Sequence, residues 1–170
     1  MNRIAGDEAV EVTFELNGQT VTGRAEPRMH LVDFLREVVG ARGTHVGCEH
    51  GVCGACTVRI DGELARACLV FAVQVRDARV TTVEGLGKPD RLSALQAAFR
   101  KHHALQCGYC IPGILVSLEA MLESEPHPDE ARVREVLSGH LCRCTGYSNM
   151  VSATLEAAGE LRARTKENAP

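Results

Sequence analysis

The first clear pattern lies at Val10-Glu11-Val12-Thr13-Phe14-Glu15-Leu16, where apolar and polar residues alternate, predicting a strand with one buried face. Asn17-Gly18 follows, a pair suited to a type I′ turn because both positions need φ > 0, and Gln19 to Arg24 is then the returning strand. After Pro27 the period lengthens. Leu31, Phe34, Leu35 and Val38 recur at helical spacing, and Gly40 supplies a stop. A second hairpin is predicted from Thr57-Val58-Arg59-Ile60, Asp61-Gly62 and Glu63 to Ala67. Leu69 to Val75 and Arg79 to Val83 read as two further strands.

Thr82 to Asp90, with Gly85, Gly87 and Pro89, reads as a linker, and beyond it the pattern turns helical. Leu92, Leu95 and Phe99 mark one amphipathic helix; Ile114, Leu115, Leu118 and Leu122 mark another that begins at Pro112, where a missing N–H costs nothing. A third helix is predicted from about Asp129 to Leu137, stopped by Gly139, and a fourth from about Ser148 to Arg164, with Thr165 to Pro170 as a frayed tail. Two hairpins around one helix is the order of a β-grasp, ferredoxin-like fold. The expectation is therefore an α+β chain: a β-grasp domain over residues 1–83, then a four-helix bundle domain over 84–170.

The long loop after the first helix carries the chemistry. Cys48, Cys53 and Cys56 stand at C-x4-C-x2-C, with Cys68 downstream, the plant-type spacing for a [2Fe-2S] cluster. A loop that folds tightly around an inorganic core needs φ > 0 and close backbone approach, and Gly43, Gly47, Gly51 and Gly54 permit both. Inward-turned amides can then hydrogen-bond to the sulfurs. Structural zinc is the competing reading, since Cys48 and Cys53 can be taken as one knuckle, although a third cysteine at x2 is less typical of zinc. A Rieske centre would need a second Cys–His pair beyond Cys48-Glu49-His50, and Cys53, Cys56 and Cys68 provide none. Disulfides are not expected, because the first residues carry no apolar leader stretch.

Cys107-x2-Cys110 and Cys142-x-Cys144 form a second set of four thiols. Each pair falls just before a predicted helix, where unsatisfied N–H groups and partial positive charge would favour an anionic cluster. Taken alone this set reads as zinc or iron–sulfur about equally; the company of the first motif favours iron–sulfur.

Composition narrows the class. The 170 residues carry a formal charge of −3 and no run of Lys or Arg suited to nucleic acid. Two oxidised clusters of roughly −2 each would take the total to about −7. No apolar run approaches the roughly 18 residues of a membrane span, and a cytoplasmic setting is expected. Trp is absent and aromatic residues are few, so the core must be largely aliphatic, and metal is expected to stabilise the fold as well as carry electrons.

Together the motifs carry a resemblance. Gly47-Cys48-x-x-Gly51-x-Cys53-Gly54-Ala55-Cys56-Thr57-Val58, Gln106-Cys107-Gly108-Tyr109-Cys110-x-Pro112-Gly113 and Leu141-Cys142-Arg143-Cys144-Thr145-Gly146-Tyr147 are long and cysteine-anchored. Over about Val10 to Ala158 the chain resembles the small, two-cluster iron–sulfur subunit of xanthine oxidase-type molybdenum hydroxylases, as in bacterial carbon monoxide, aldehyde and N-heterocycle dehydrogenases. The resemblance implies that Cys48, Cys53, Cys56 and Cys68 bind one cluster in the β-grasp domain. It implies that Cys107, Cys110, Cys142 and Cys144 bind the other in the helical domain. Gln106 and Cys144 are then placed beside the pterin of a molybdenum cofactor. Where many relatives carry Asn before Leu-Cys-Arg-Cys, this chain has His140.

By the same resemblance the chain is an electron-transfer subunit of an oxidoreductase, with substrate chemistry on a partner. Electrons would pass from a large molybdopterin-binding subunit, its cofactor a dinucleotide form, through both clusters to a medium FAD-binding subunit, in a dimer of heterotrimers. A flavin-free complex donating to a cytochrome and a stand-alone ferredoxin-like carrier are the alternatives, the second disfavoured by the helical domain. His45 and His50 beside Cys48, and His102 and His103 before Gln106, are read as surface or hydrogen-bonding residues before any role in proton coupling. Arg143, between two cysteines, reads equally as compensating cluster charge or as a solvated or partner-facing side chain.

Overall fold

The structure, a computed structural model, describes residues 5–6 and 8–167, with side chains placed as far as residue 164. Its first half is a mixed five-stranded sheet: β1 (Val10–Leu16), β2 (Gln19–Ala25), β3 (Thr57–Ile60), β4 (Glu63–Arg66) and β5 (Arg79–Thr81), in the order β2-β1-β5-β3-β4. Strands β1 and β5 run parallel, with Leu16 opposite Val80; the other pairs are antiparallel. The alternation read in β1 holds, since Val12, Phe14 and Leu16 point into the core. Both hairpin turns have the expected backbone, with φ of 51° and 82° at Asn17-Gly18 and 51° and 94° at Asp61-Gly62.

Across the sheet lies α1 (Leu31–Asp33), which continues as a π-helical segment, Phe34–Val39, and ends at Gly40 in the left-handed region. Phe34 meets Phe14 with ring centroids 5.9 Å apart. Gly23 on β2 makes room for this helix, because a Cβ there would lie 2.6 Å from Val38 Cγ1 and 2.8 Å from Phe34 Cζ.

The strand expected at Leu69 to Val75 is absent. Two 3₁₀ turns, Ala67–Leu69 and Ala72–Val75, stand in its place, with only a single bridge from Phe71 to His30. Cys68, Ala72 and Val75 are buried while Leu69 and Phe71 are exposed, so the apolar run has a period nearer four than two. The Val70 carbonyl accepts from Leu31 N–H and Ala72 N–H donates to Met29, which clasps the segment to the start of α1.

The Thr82 to Asp90 stretch is packed into the fold. Thr82 is fully buried and exchanges two hydrogen bonds with the Asn17 side chain, at 2.9 and 3.0 Å. Beyond it come α2 (Ala94–Lys101), α3 (Ile111–Ser124), α4 (Glu130–Ser138) and α5 (Ser148–Glu167); residues 168–170 of the predicted tail lie outside the described residues. Ser93 caps α2 in a capping box with Gln96, and Asp129 caps α4 through Arg132 N–H. Leu95, Phe99, Ile114, Leu118, Val133, Leu137 and Met150 form the core of this helical half, separate from the core beneath the sheet. The halves meet where α3 lies against β3, with Arg59 and Glu123 paired at 2.7 Å.

Candidate metal centres

Cys48, Cys53 and Cys56 lie on the loop between α1 and β3, and the turn after β4 returns Cys68 to them. Cys56 and Cys68 are buried and lie near one another, while Cys48 and Cys53 are half-buried. Cys53 N–H donates to Cys48 Sγ at 3.3 Å. That amide, with the N–H groups of His50 and Val52, draws the Cys48 thiol down to about 6. Burial pushes Cys56 the other way, to about 11. The four glycines divide by mechanism: Gly51 and Gly54 take positive φ, whereas Gly43 and Gly47 permit close approach. A Cβ on Gly47 would stand 2.9 Å from Cys53 Sγ, and one on Gly43 would strike the Glu84 carboxylate.

The second set is drawn from two stretches. Cys110 is the N-cap of α3, and Cys142 and Cys144 lie in the loop between α4 and α5. Cys144 and Cys107 sulfurs stand 3.5 Å apart, and Cys110 lies near Cys142. Burial pushes Cys110 up to about 12. For Cys142 burial is outweighed by hydrogen bonds from Thr145 and the Cys144 backbone, so that thiol sits below its ordinary value. Thr145 Oγ1 lies 3.2 Å from Cys142 Sγ.

None of the eight cysteines is in a disulfide, and they fall into neighbouring pairs: Cys48 with Cys53, Cys56 with Cys68, Cys110 with Cys142, and Cys107 with Cys144, whose sulfurs are 3.5 Å apart. Among the described residues no three His, Cys, Asp or Glu side chains gather tightly enough for a single ion. Paired thiols with N–H groups turned on them suit a binuclear group in which each metal takes two thiolates, and coordination would strip the protons from the buried thiols.

The two sets share one seam. Gly47, Cys53 and Ala55 line a cavity of about 180 Å³ together with Cys107, Cys110, Leu141, Cys142, Arg143 and Cys144. Leu141 N–H donates to the Cys53 carbonyl at 2.9 Å, joining one cysteine loop to the other. Gly113 on α3 packs against the Gly54 carbonyl so closely that a Cβ would overlap it. Gln106 Nε2 donates to the Cys144 carbonyl at 2.9 Å, so the two residues expected at a pterin edge are adjacent and exposed.

The motifs contain Thr57, Tyr109 and Tyr147 but not the contacts they make, and Arg66 and Ser117 stand outside them. His45 stacks on Tyr109 with centroids 4.8 Å apart, its Nδ1 is 2.8 Å from the Tyr109 carbonyl, and the Tyr109 hydroxyl donates to Val46. Arg66 donates to the Gly139 carbonyl at 2.9 Å and to Thr57, which in turn donates to the Gly54 carbonyl at 2.6 Å. Tyr147 Oη accepts from Cys142 N–H at 2.7 Å and donates to the His140 carbonyl at 3.0 Å, threading the last cysteine loop. His140 itself is buried, with Nε2 2.8 Å from Ser117 Oγ and Nδ1 unpartnered. Burial, then the nearby Arg66 guanidinium, holds its imidazole down to about 4. His50 contacts the Cys48 carbonyl and His102 pairs with Glu156 at 2.8 Å, both hydrogen-bonding roles as read from the sequence.

Comparisons with known proteins agree with this geometry. Residues 14–83 match a 2Fe-2S iron-sulfur cluster binding domain and residues 82–155 a [2Fe-2S] binding domain. The gamma subunit of caffeine dehydrogenase from Pseudomonas sp. (strain CBB1) is 48% identical over 145 residues, which are 84% of this chain and 87% of that one. The iron-sulfur-binding subunit of Escherichia coli aldehyde oxidoreductase is 41% identical, over 91% of this chain and 74% of its own length. In the crystal structure of quinoline 2-oxidoreductase from Pseudomonas putida 86, one chain superposes with a TM-score of 0.88 at 48% identity, covering 92% of this chain and 97% of that chain. With two cluster-binding domains in series and such relatives, the chain belongs to the family of two-cluster iron–sulfur subunits of xanthine oxidase-type molybdenum hydroxylases.

Proposed function

We propose that this chain carries electrons from a molybdopterin centre on a large partner subunit, first to the helical half and then to the sheet half, and on to FAD in a medium subunit. The observation that carries this reading is the 2.9 Å hydrogen bond from Leu141 N–H to the Cys53 carbonyl, which couples two complete four-thiol sets across one seam. Cys48, Cys53, Cys56 and Cys68 would hold one [2Fe-2S] cluster, and Cys107, Cys110, Cys142 and Cys144 the other. Bound there, each cluster supplies a one-electron acceptor and donor. The protein's own part is to pair the sulfurs, to aim N–H groups at them and to fix the contact between the loops.

Each set also has its own exposed apolar margin. Leu105, Tyr109 and Leu141 border the helical set, beside Gln106 and Cys144; Val52, Leu69 and Phe71 border the sheet set. Two margins suit two partners, the first the molybdopterin subunit and the second the flavin subunit. The matched domains meet at residues 82–83, and the separate cores support a β-grasp domain over 1–83 and a four-helix bundle over 84–170. No described helix is long and apolar enough to cross a membrane, and a cytoplasmic dimer of heterotrimers fits this reading.

Metal, sulfide and flavin assays on the purified complex test it. About four irons and four labile sulfides per chain are expected, with flavin in a partner. Stoichiometric zinc in protein kept from air overturns the two-cluster assignment. A flavin-free complex that reduces a cytochrome overturns the acceptor but not the clusters.

A further inference from the structure

We propose that His140 is a positioning residue for transfer between the two cysteine sets, its imidazole acting as the spacer that holds the Leu141 amide against the Cys53 carbonyl. The inference rests on the reading that both sets hold clusters. The residue is 2% exposed, and its ring touches two cysteine-bearing elements while the residue belongs to a third. It meets α3 through Ser117, at 2.8 Å, on the helix that Cys110 caps. It meets the first cysteine loop at Gly54, where any Cβ would collide with Nδ1. It belongs to the loop that continues through Leu141 to Cys142.

Nδ1 is buried with no hydrogen-bond partner. An unsatisfied buried nitrogen is unfavourable compared with an aliphatic side chain of similar size, so packing alone does not call for histidine here. A flat ring anchored at one nitrogen is a stiff spacer of fixed width. Ser117 sets its rotation, the Gly54 peptide lies against its other edge, and the next amide in the chain makes the bond to Cys53. The flanking groups brace the same seam: Arg66 holds the Gly139 carbonyl and Tyr147 the His140 carbonyl. Movement of the ring therefore moves the Leu141 amide. Electron tunnelling falls steeply as such a contact opens, and magnetic coupling between two reduced clusters falls with the inverse cube of their separation.

The test uses the intact complex with His140→Leu, His140→Gln and Ser117→Ala. Iron and sulfide are assayed first; then the spin–spin splitting in the EPR spectrum of the fully reduced protein and the rate of electron equilibration between clusters are measured. His140→Leu is expected to keep wild-type iron while the splitting changes and the rate falls severalfold. His140→Gln, whose amide nitrogen stands where Nε2 does and can still bond Ser117, should recover part of both, and Ser117→Ala should shift both in the same direction but less. Unchanged splitting and rate in His140→Leu and Ser117→Ala, at full iron content, overturn the proposal. If His140→Leu does not assemble, Ser117→Ala decides alone, and wild-type values there overturn it. A wild-type complex lacking one cluster overturns the underlying reading, and shows before any variant is made.

Discussion

The two cysteine sets solve one problem by different means. In the sheet half, three of four thiols sit on a single loop whose glycines and inward amides are all local in sequence, and only Cys68 arrives from a neighbouring turn. In the helical half the thiols come as two pairs from separate stretches, and nothing local brings them together. The packing of α3, α4 and α5 does so, with Cys110 capping one helix and Tyr147 tying the other loop. A site written in one loop depends on metal to stiffen a small module; a site assembled from helices borrows the rigidity of a core that exists beside it.

Removing one ligand from the sheet set gives the sharpest separation. Cys53→Ala is expected to abolish the first cluster, lower iron from about four to about two per chain and loosen residues up to about Val83, while the helical cluster keeps its EPR signal. Loss of both signals in protein of normal yield would erase the distinction between the modules. Next in size is Gly113→Ala, which drives a methyl group into the Gly54 carbonyl. We expect it to destabilise the joined halves by about 1–3 kcal/mol in denaturant unfolding, with both clusters present. An unchanged midpoint would mean that the seam is looser than its geometry.

Gln106→Ala removes a 2.9 Å hydrogen bond at the exposed margin of the helical set. The expected loss is about 1 kcal/mol, with both clusters assembled and slower reduction of the helical-half cluster by substrate in rapid-freeze EPR. A variant slowed only in transfer to the acceptor would reverse the assignment of the two ends. The smallest effect concerns the helical half alone. Lys101 and then His102 hydrogen-bond Glu156 and hold its carboxyl below the ordinary 4.5. The native state then binds fewer protons there than the unfolded chain, so this support is present above about pH 4.5 and is lost as pH falls through the depressed value. Glu156→Gln should flatten that part of the Tm–pH curve; an identical acid limb would count against the bridge.

Much of this was legible in the residues because its causes are local. Alternation placed β1, Asn17-Gly18 and Asp61-Gly62 placed the hairpins, and the cysteine motifs named all eight thiols. Asp129 marks the start of α4 by capping chemistry that acts within one turn, whereas α2 begins only after its Ser93 cap, two residues beyond the Leu92 that opens the apolar pattern. Leu69 to Val75 was misread because an aliphatic run is compatible with period two or four until something chooses. Burial of Cys68, Ala72 and Val75 under α1 made that choice.

What the sequence determined by itself was the chemistry: eight thiols in two sets, the turns that present them and the helices that follow. Only the tertiary structure decided that Cys107 meets Cys144, that Leu141 meets Cys53, and that His140 stands between Ser117 and Gly54. Those contacts join residues far apart in the chain. No periodicity or spacing encodes them, because they follow from how α3 docks on β3 and how closely Gly54 and Gly113 let the two backbones approach.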